Sequence, residues 1–416
     1  MAPLARPLSA TLLAALTLSC AGSGCAGETA GEATETTETA SETAETAGET
    51  ADDTAGETTE GAPQTFEGCA GASFLALPDD PAARGPWPVG ALTSEVSGLS
   101  TEIWYPAALG SELGAPAKTY DIREALPPSE QAKISDELAP AQSCACVDDL
   151  PIDAERGPYP VIVFIHGTAA WRSQSLTQMT HWASRGFVVV SADHPGLWLA
   201  DLLSAVCGGS PPAQDLGGDT DTLLAALAAP SGPLAFLDGH LDLERVAIVG
   251  HSAGGNAAAL QTGRPGVQVA IPMAAAQAVS ESATLASTLL LAALTDGVVP
   301  YESSLDAYAE SPAPKRFVGI ADAGHLAFSD ICALKNADGQ NILEIAVDAG
   351  VCGAELAGAL FDCDPAFLDA AIAGEIIDYT TTAALEQVLQ CRDLGDPFAD
   401  LQARFPEVAE YREELP

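Results

Sequence analysis

Continuous runs of apolar residues constrain the fold of this chain more than any other feature of its sequence. The clearest run extends from Val161 to Ile165 without a polar residue, which is typical of a strand covered on both faces of a sheet. Strands alternating with helices predict an α/β fold, with a mostly parallel central sheet and helices on both faces. We expect strands at 86–98, 101–107, 159–168, 186–196, 245–250, 267–276, 288–297 and 315–325, and helical segments at 175–185, 219–238 and 256–263.

The first 25 residues have the pattern of an export signal. Arg6 supplies a positive charge, an apolar run follows from Leu12 to Leu18, and small residues come after it. The run is too short to span a bilayer permanently. Cys20 is the candidate for lipidation and Cys25 is a weaker one, so the sequence predicts a cell-envelope lipoprotein (outer membrane or periplasm) or, after simple cleavage, a secreted protein.

Residues 26–62 are near-repeats of Thr, Glu and Ala with eleven acidic residues and no basic one. Such a segment has little apolar surface to bury, and its like charges repel, so we expect a disordered linker. The whole chain has a net charge of −42, and the part after the linker is acidic as well. This charge disfavours nucleic acid and anionic membrane surfaces as partners, which leaves a lipid anchor as the only expected membrane contact.

The folded domain is expected at 63–416, with an insertion near 107–158 and a cysteine-containing, mainly helical extension at 330–416. Of the ten cysteines, eight follow the leader, and an even number in an exported chain favours up to four disulfides. Cys144 and Cys146 are close in sequence, so we expect each to have a distant partner. The spacings lack paired C-x-x-C elements, and neither a metal nor a cofactor is expected.

The sequence Gly250-His251-Ser252-Ala253-Gly254 matches G-x-S-x-G between a predicted buried strand and a predicted helix. Glycines allow the sharp turn that exposes a serine at the top of a sheet, whereas a simple strand-to-helix turn is the alternative. Ser252 is therefore the candidate nucleophile.

A serine needs a base, and the base needs an orienting acid. Asp296 and His325 follow predicted strands downstream of Ser252, in the order that this motif requires. Asp322, near His325, is interpreted as a loop residue, and His194 as a residue that could line the site. Chemistry in parallel sheets gathers at the carboxyl ends of strands, where all three candidates lie.

An ester carbonyl under attack needs donors for its oxyanion. We expect them to be the backbone N–H groups of Ala253, directly after the nucleophile, and of Thr168, in the His-Gly-Thr turn that ends the segment 159–168. His166 and Gly167 are expected to shape that turn. The alternative is that they form only a tight turn after the strand and have no role in the site.

These motifs together resemble the α/β-hydrolase superfamily, from about Pro86 to Asp330. They are most similar to platelet-activating-factor acetylhydrolases, dienelactone hydrolases and bacterial polyester hydrolases. The resemblance implies Ser252 as nucleophile, Asp296 as acid and His325 as base. Dienelactone hydrolases usually have cysteine at the nucleophile position, which counts against that activity.

The sequence thus predicts an exported serine hydrolase that cleaves carboxylic esters through an acyl-enzyme, acting on a small-molecule, lipid or polymer ester. Two alternatives stay open, namely a catalytically silent hydrolase fold used as a surface binding module, and an exported serine peptidase. The presence of all three triad candidates argues against the first. The peptidase shares the chemistry, so only substrates separate it from an esterase.

Overall fold

The structure is a computed structural model that describes residues 63–415. The leader at 1–25, the lipidation candidate Cys20 and the linker at 26–62 lie outside the described residues, and the expectations for them stay predictions.

The described chain forms strands β1 to β14. In chain order they are β1 (Thr65–Glu67), β2 (Ser73–Leu75), β3 (Val89–Val96), β4 (Leu99–Pro106), β5 (Thr119–Asp121), β6 (Ala141–Ser143), β7 (Val147–Asp148), β8 (Tyr159–Ile165), β9 (Val188–Ala192), β10 (Leu241–His251), β11 (Val267–Met273), β12 (Ser287–Ala293), β13 (Lys315–Ile320) and β14 (Val408–Glu414).

Ten strands form one sheet in the order β14-β13-β12-β11-β10-β8-β9-β4-β3-β7. Neighbouring strands from β13 to β9 are all parallel, whereas β14, β4 and β3 join by antiparallel pairing. The eight predicted strands are all present. The sheet is mostly parallel, as predicted, and mixed only towards its edges.

Strand β8 shows why an uninterrupted apolar run forms a central strand. Every residue from Tyr159 to Ile165 is buried. Side chains alternate between the faces of a strand, and here Ile162 and Phe164 join one core cluster while Val161 and Val163 join the other. Both faces of the sheet are therefore covered.

The helices cover the two faces of the sheet and the ends of its strands. They are α1 (Pro128–Gln131), α2 (Leu176–Ser184), α3 (Leu199–Val206), α4 (Leu216–Ala228), α5 (Ala253–Leu260), α6 (Tyr301–Glu310), α7 (Ile342–Asp348), α8 (Ala354–Ala357), α9 (Ala370–Leu389) and α10 (Leu401–Arg404). Trp182 of α2 and Ile376 of α9 belong to the core on one face, and Leu223 of α4 belongs to the core on the other. Within residues 63–415, no helix combines the length and the apolar character that crossing a membrane requires.

The extension after residue 330 is mainly helical but ends in a strand that the sequence did not predict. Its last segment is β14, which pairs antiparallel with β13 and so adds a strand to the sheet. Its sequence, VAEYREE, is mostly charged, and apolar and polar residues alternate only weakly in it. An edge strand needs few buried side chains, so this pattern suffices. Val408 is the residue of this strand that is buried in the core.

The insertion and the extension pack against each other. Leu126 and Ile134 from the insertion share one apolar cluster with Ile345 and Val351 from the extension. Cys352 N–H donates to Glu130 Oε2 at 2.6 Å. The insertion and the extension thus pack into one unit.

Four disulfides lie in the described residues, namely Cys69–Cys391, Cys144–Cys146, Cys207–Cys352 and Cys332–Cys363. The expectation that Cys144 and Cys146 each have a distant partner is wrong. The two residues lie between the short strands β6 and β7, and their Cα atoms are 5.0 Å apart, within the range that a disulfide spans.

Candidate active site

The candidate nucleophile lies in a strained turn between a strand and a helix. Strand β10 ends at His251, helix α5 begins at Ala253, and Ser252 between them has φ 57° and ψ −120°. A positive φ is unfavourable for a residue with a Cβ atom and persists where the surrounding structure enforces it. Ser252 is 8% exposed and is therefore almost completely buried.

The glycines of the motif allow two backbone segments to approach closely. A Cβ atom on Gly254 would lie 2.0 Å from the carbonyl oxygen of Ile165 and 2.5 Å from that of His166. A Cβ atom on Gly250 would lie 2.3 Å from the carbonyl oxygen of Gly254. Glycine is therefore needed to hold the nucleophile turn against the end of β8.

The structure brings the proposed acid and base together. His325 Nδ1 and Asp296 Oδ2 are 2.8 Å apart, and both side chains are almost completely buried. Asp296 follows β12, and its Oδ1 accepts the N–H groups of Val298 and Val299 at 2.8 and 2.7 Å. These bonds fix the carboxylate so that it can orient the imidazole.

His325 lies beside the nucleophile turn. The ring of His251, the residue before Ser252, is 4.7 Å from the ring of His325 between centroids. His251 Nε2 is 2.9 Å from the carbonyl oxygen of His325. Ser252 Oγ has no hydrogen-bond partner among residues 63–415, and bonds between nucleophile and base often tighten only when substrate binds.

The turn after β8 lies against the nucleophile and presents an unused donor. A Cβ atom on Gly167 would lie 3.3 Å from Ser252 Cβ. In the described part of the chain, the N–H groups of Thr168 and Ala253 donate to no acceptor, whereas Gly167 N–H donates to Gln174 Oε1 at 2.7 Å. The two proposed oxyanion donors are thus both available beside Ser252.

His166 braces this turn as a neutral, fully buried side chain. Its Nε2 accepts the N–H of His194 at 3.1 Å, which leaves Nδ1–H to donate to Gly167 O at 2.8 Å. Burial, with a smaller contribution from the neighbouring His194, lowers the pKa of His166 to about 3. His194 itself pairs with Asp219 at 3.0 Å.

Sequence reasoning missed Gln174, which links both halves of the site. Its Oε1 accepts from Gly167, as described above, and its Nε2 donates to His251 Nδ1 at 3.1 Å. His251 then contacts His325 through its other ring nitrogen, and burial holds the pKa of His251 well below its usual value. No motif marks this glutamine, because its partner His251 is 77 residues away in sequence.

An apolar cluster adjoins the site. It contains Trp171, Leu326 and Ile331, with Trp198 and Phe361 packed against it. The indole N–H groups of Trp171 and Trp198 find no acceptor within residues 63–415. The side of the site next to His325 is therefore apolar, with two unused donors. In the same range, no group of three His, Cys, Asp or Glu side chains is arranged to hold a metal ion.

The sheet order, the nucleophile turn and the buried Asp–His pair together define an α/β-hydrolase fold. A family model described as chlorophyllase matches residues 140–280, about a third of the chain. The match includes Ser252 and Thr168 and ends before Asp296. It supports the α/β-hydrolase superfamily and suggests a hydrolase that acts on esters. A search of curated proteins found no match.

Proposed function

We propose that this protein is a serine hydrolase that cleaves carboxylic esters through an acyl-enzyme intermediate. The observation that carries the proposal is the buried hydrogen bond between Asp296 and His325 beside the strained turn of Ser252. The family match at 140–280 supports the same reaction class from the sequence.

In the first half of the reaction, His325 takes the proton of Ser252 Oγ as that oxygen bonds to the ester carbonyl carbon. The N–H groups of Thr168 and Ala253 hold the oxyanion, and Asp296 stabilises the charged imidazole. The bond between the carbonyl carbon and the alkoxy oxygen then breaks. His325 gives its proton to that oxygen, so the alcohol leaves and the acyl group stays on Ser252.

In the second half, a water molecule takes the place of the alcohol. His325 removes one proton from the water, and the resulting oxygen bonds to the acyl carbon. The bond to Ser252 Oγ breaks, the serine regains a proton from His325, and a carboxylic acid is released. Each cycle therefore consumes one ester and one water and restores the enzyme.

The substrate proposed here is an ester with an apolar part. Support comes from the apolar cluster around Trp171 and Leu326, which adjoins His325. The motifs resemble those of acetylhydrolases and bacterial polyester hydrolases, which favours a small-molecule, lipid or polymer ester. Serine rather than cysteine at position 252 disfavours a dienelactone hydrolase.

The test is hydrolysis of p-nitrophenyl acetate by the purified parent and by Ser252→Ala. We expect the variant to retain only the rate due to binding and the oxyanion donors, roughly 10³–10⁴-fold over water. Ser210→Ala is the matched control, because Ser210 is exposed, and it should keep the parent rate. A Ser252→Ala variant as active as the parent would overturn the proposal. Faster cleavage of a matching p-nitroanilide would point to a peptidase.

The proposal includes export and anchoring through a lipid on Cys20. The four disulfides of residues 63–415 support export, since such bonds persist in oxidising compartments. In cells fed an alkynyl fatty acid, the full chain should be labelled and sediment with membranes. Cys20→Ser should lose the label, and Cys25→Ser should keep it. An unlabelled, soluble parent would instead indicate simple cleavage.

A further inference from the structure

The disulfide Cys332–Cys363 closes a segment that begins seven residues after His325, called here the 332–363 loop. The loop contains α7 and α8 and is tied to α3 by the second disulfide, Cys207–Cys352. Ile331, just before the loop, and Phe361, near its end, both contact the apolar cluster that includes Leu326. Both ends of the loop therefore lie next to the proposed base.

Asp362, the residue before Cys363, reaches the backbone of both proposed catalytic loops. Its Oδ2 accepts the N–H of His325 at 2.8 Å and the N–H of Gly297 at 3.1 Å. Gly297 directly follows Asp296. One carboxylate oxygen thus joins the turn that carries the acid to the turn that carries the base.

The segment that follows also packs tightly against the base turn. A Cβ atom on Gly324, just before His325, would lie 2.3 Å from Phe367 Cε2 and 3.0 Å from Asp362 Oδ2. A side chain would not fit at position 324, so the base turn packs closely against the segment that carries Asp362 and Phe367. The disulfide places Asp362 there, because Cys363 is its neighbour in sequence.

We propose that Asp362 is a positioning residue for the proposed esterase reaction, and that the Cys332–Cys363 disulfide keeps it in place. The inference rests on the proposed function. The Asp296–His325 hydrogen bond joins two loops that follow different strands, β12 and β13, so its geometry depends on how those loops are held together. A displacement of about 1 Å in a catalytic group can cost about 100-fold in rate.

The first test compares the kcat of Asp362→Ala, which lacks both acceptor oxygens, with that of Asp362→Asn, which keeps one. We expect Asp362→Ala to lower kcat by about 10- to 100-fold with KM changed less than about threefold, and Asp362→Asn to restore most of the loss. Asp364→Ala is the matched control. That carboxylate is exposed and accepts only the N–H of Ala366, so kcat should stay at the parent value.

The second test separates positioning from stability by removing disulfides. Cys332→Ser/Cys363→Ser should lower kcat at a temperature where the protein is still folded by circular dichroism. Cys69→Ser/Cys391→Ser removes a bond that ties the N-terminal segment to the chain after α9. It should lower Tm and leave the kcat of the folded enzyme unchanged.

Ser252→Ala in the same assay distinguishes the two proposals. If Ser252→Ala is inactive while Asp362→Ala has the parent kcat, the positioning role is wrong and the proposed function stands. If kcat falls equally in Asp362→Ala and Asp362→Asn, Asp362 does not act through its hydrogen bonds, and the positioning role is also wrong. If Ser252→Ala has the parent rate, the proposed function itself fails.

Discussion

Ser252 has a left-handed backbone conformation that its neighbours must enforce. One of these neighbours is Gly254, where an added Cβ atom would lie 2.0 Å from the carbonyl oxygen of Ile165 at the end of β8. The strain therefore depends on a residue that has no chemical role in the reaction.

Gly254→Ala should damage the site through this contact. The added Cβ atom would meet a backbone oxygen at 2.0 Å, so either the end of β8 or the nucleophile turn must move. We expect a loss of esterase activity of at least about 100-fold, since small displacements of a nucleophile are costly. Gly263→Ala is the control, because a Cβ atom there meets nothing within 4 Å. Equal activity of the two variants would contradict the account.

The buried His166 should make stability depend on pH. Its pKa is about 3 in the folded protein and about 6.5 in the unfolded chain. Between these values the unfolded chain binds a proton that the folded protein does not, so the free energy of unfolding falls as the pH falls. From pH 7 to pH 5 this one group should lower it by about 2 kcal/mol.

Denaturant unfolding of the parent and of His166→Asn at pH 7 and pH 5 measures this contribution. The decrease in the free energy of unfolding from pH 7 to pH 5 should be smaller by about 2 kcal/mol in the variant. His181 and Asp330 also have shifted pKa values, but both proteins share them, so they cancel in the comparison. An equal decrease in both proteins would show that His166 is not neutral in the folded state.

At this scale the sequence could suggest Ser252, Asp296 and His325, because strand ends and a short motif mark them. The structure places Asp296 and His325 in contact, whereas their catalytic roles stay predictions. Gln174 and Asp362 could not be found in this way. Each acts through contacts with residues distant in sequence, and neither lies in a motif or a periodic pattern.

At the scale of elements, burial decided what could be predicted. Each strand from β8 to β13 contains a run of buried, mostly apolar residues and was predicted, since few other elements need such runs. The edge strand β14 carries mostly charged residues and was assigned to a helical extension. The pairing of Cys144 with Cys146 was missed because it depends on the path between β6 and β7.

Removing residues 406–416 should destabilise the sheet. Strand β14 pairs with β13 along its length and stacks Tyr411 on Phe398 at 5.8 Å, so its loss leaves β13 as an unprotected edge. We expect Tm to fall by at least about 5 °C, and aggregation on heating to increase.

Arg412→Ala is the control for this truncation. It removes an exposed ion pair with Glu410. Exposed ion pairs contribute little to the free energy of unfolding, so Tm should change by less than about 1 °C. If the truncated protein had the parent Tm, β14 would not be needed to complete the sheet.

At the scale of the whole molecule, the net charge of −42 should influence which esters are used. An acidic surface repels anionic substrates at low ionic strength, and salt screens that repulsion. Raising the ionic strength from about 10 mM to about 300 mM should lower KM for an anionic p-nitrophenyl ester by about two- to tenfold. KM for a neutral ester of similar size should stay the same. An equal response of both esters would exclude this effect.

The order of strands and helices in the sequence was sufficient to predict an α/β fold with a mostly parallel sheet, and the resemblance of the motifs narrowed it to an α/β-hydrolase fold. The sequence was not sufficient to predict how the insertion packs on the extension, because that contact joins residues more than 200 positions apart. Acyl length and alcohol group could not be predicted from the sequence for the same reason. The apolar cluster near the site draws residues from several distant segments.

The central claim is that Ser252 is made nucleophilic by His325. Labelling with a fluorophosphonate probe, followed by peptide mass spectrometry, measures this directly. We expect one phosphonylated residue, Ser252, with labelling abolished in Ser252→Ala and strongly slowed in His325→Ala. Labelling of a different serine, or no labelling of folded parent protein, would contradict the claim.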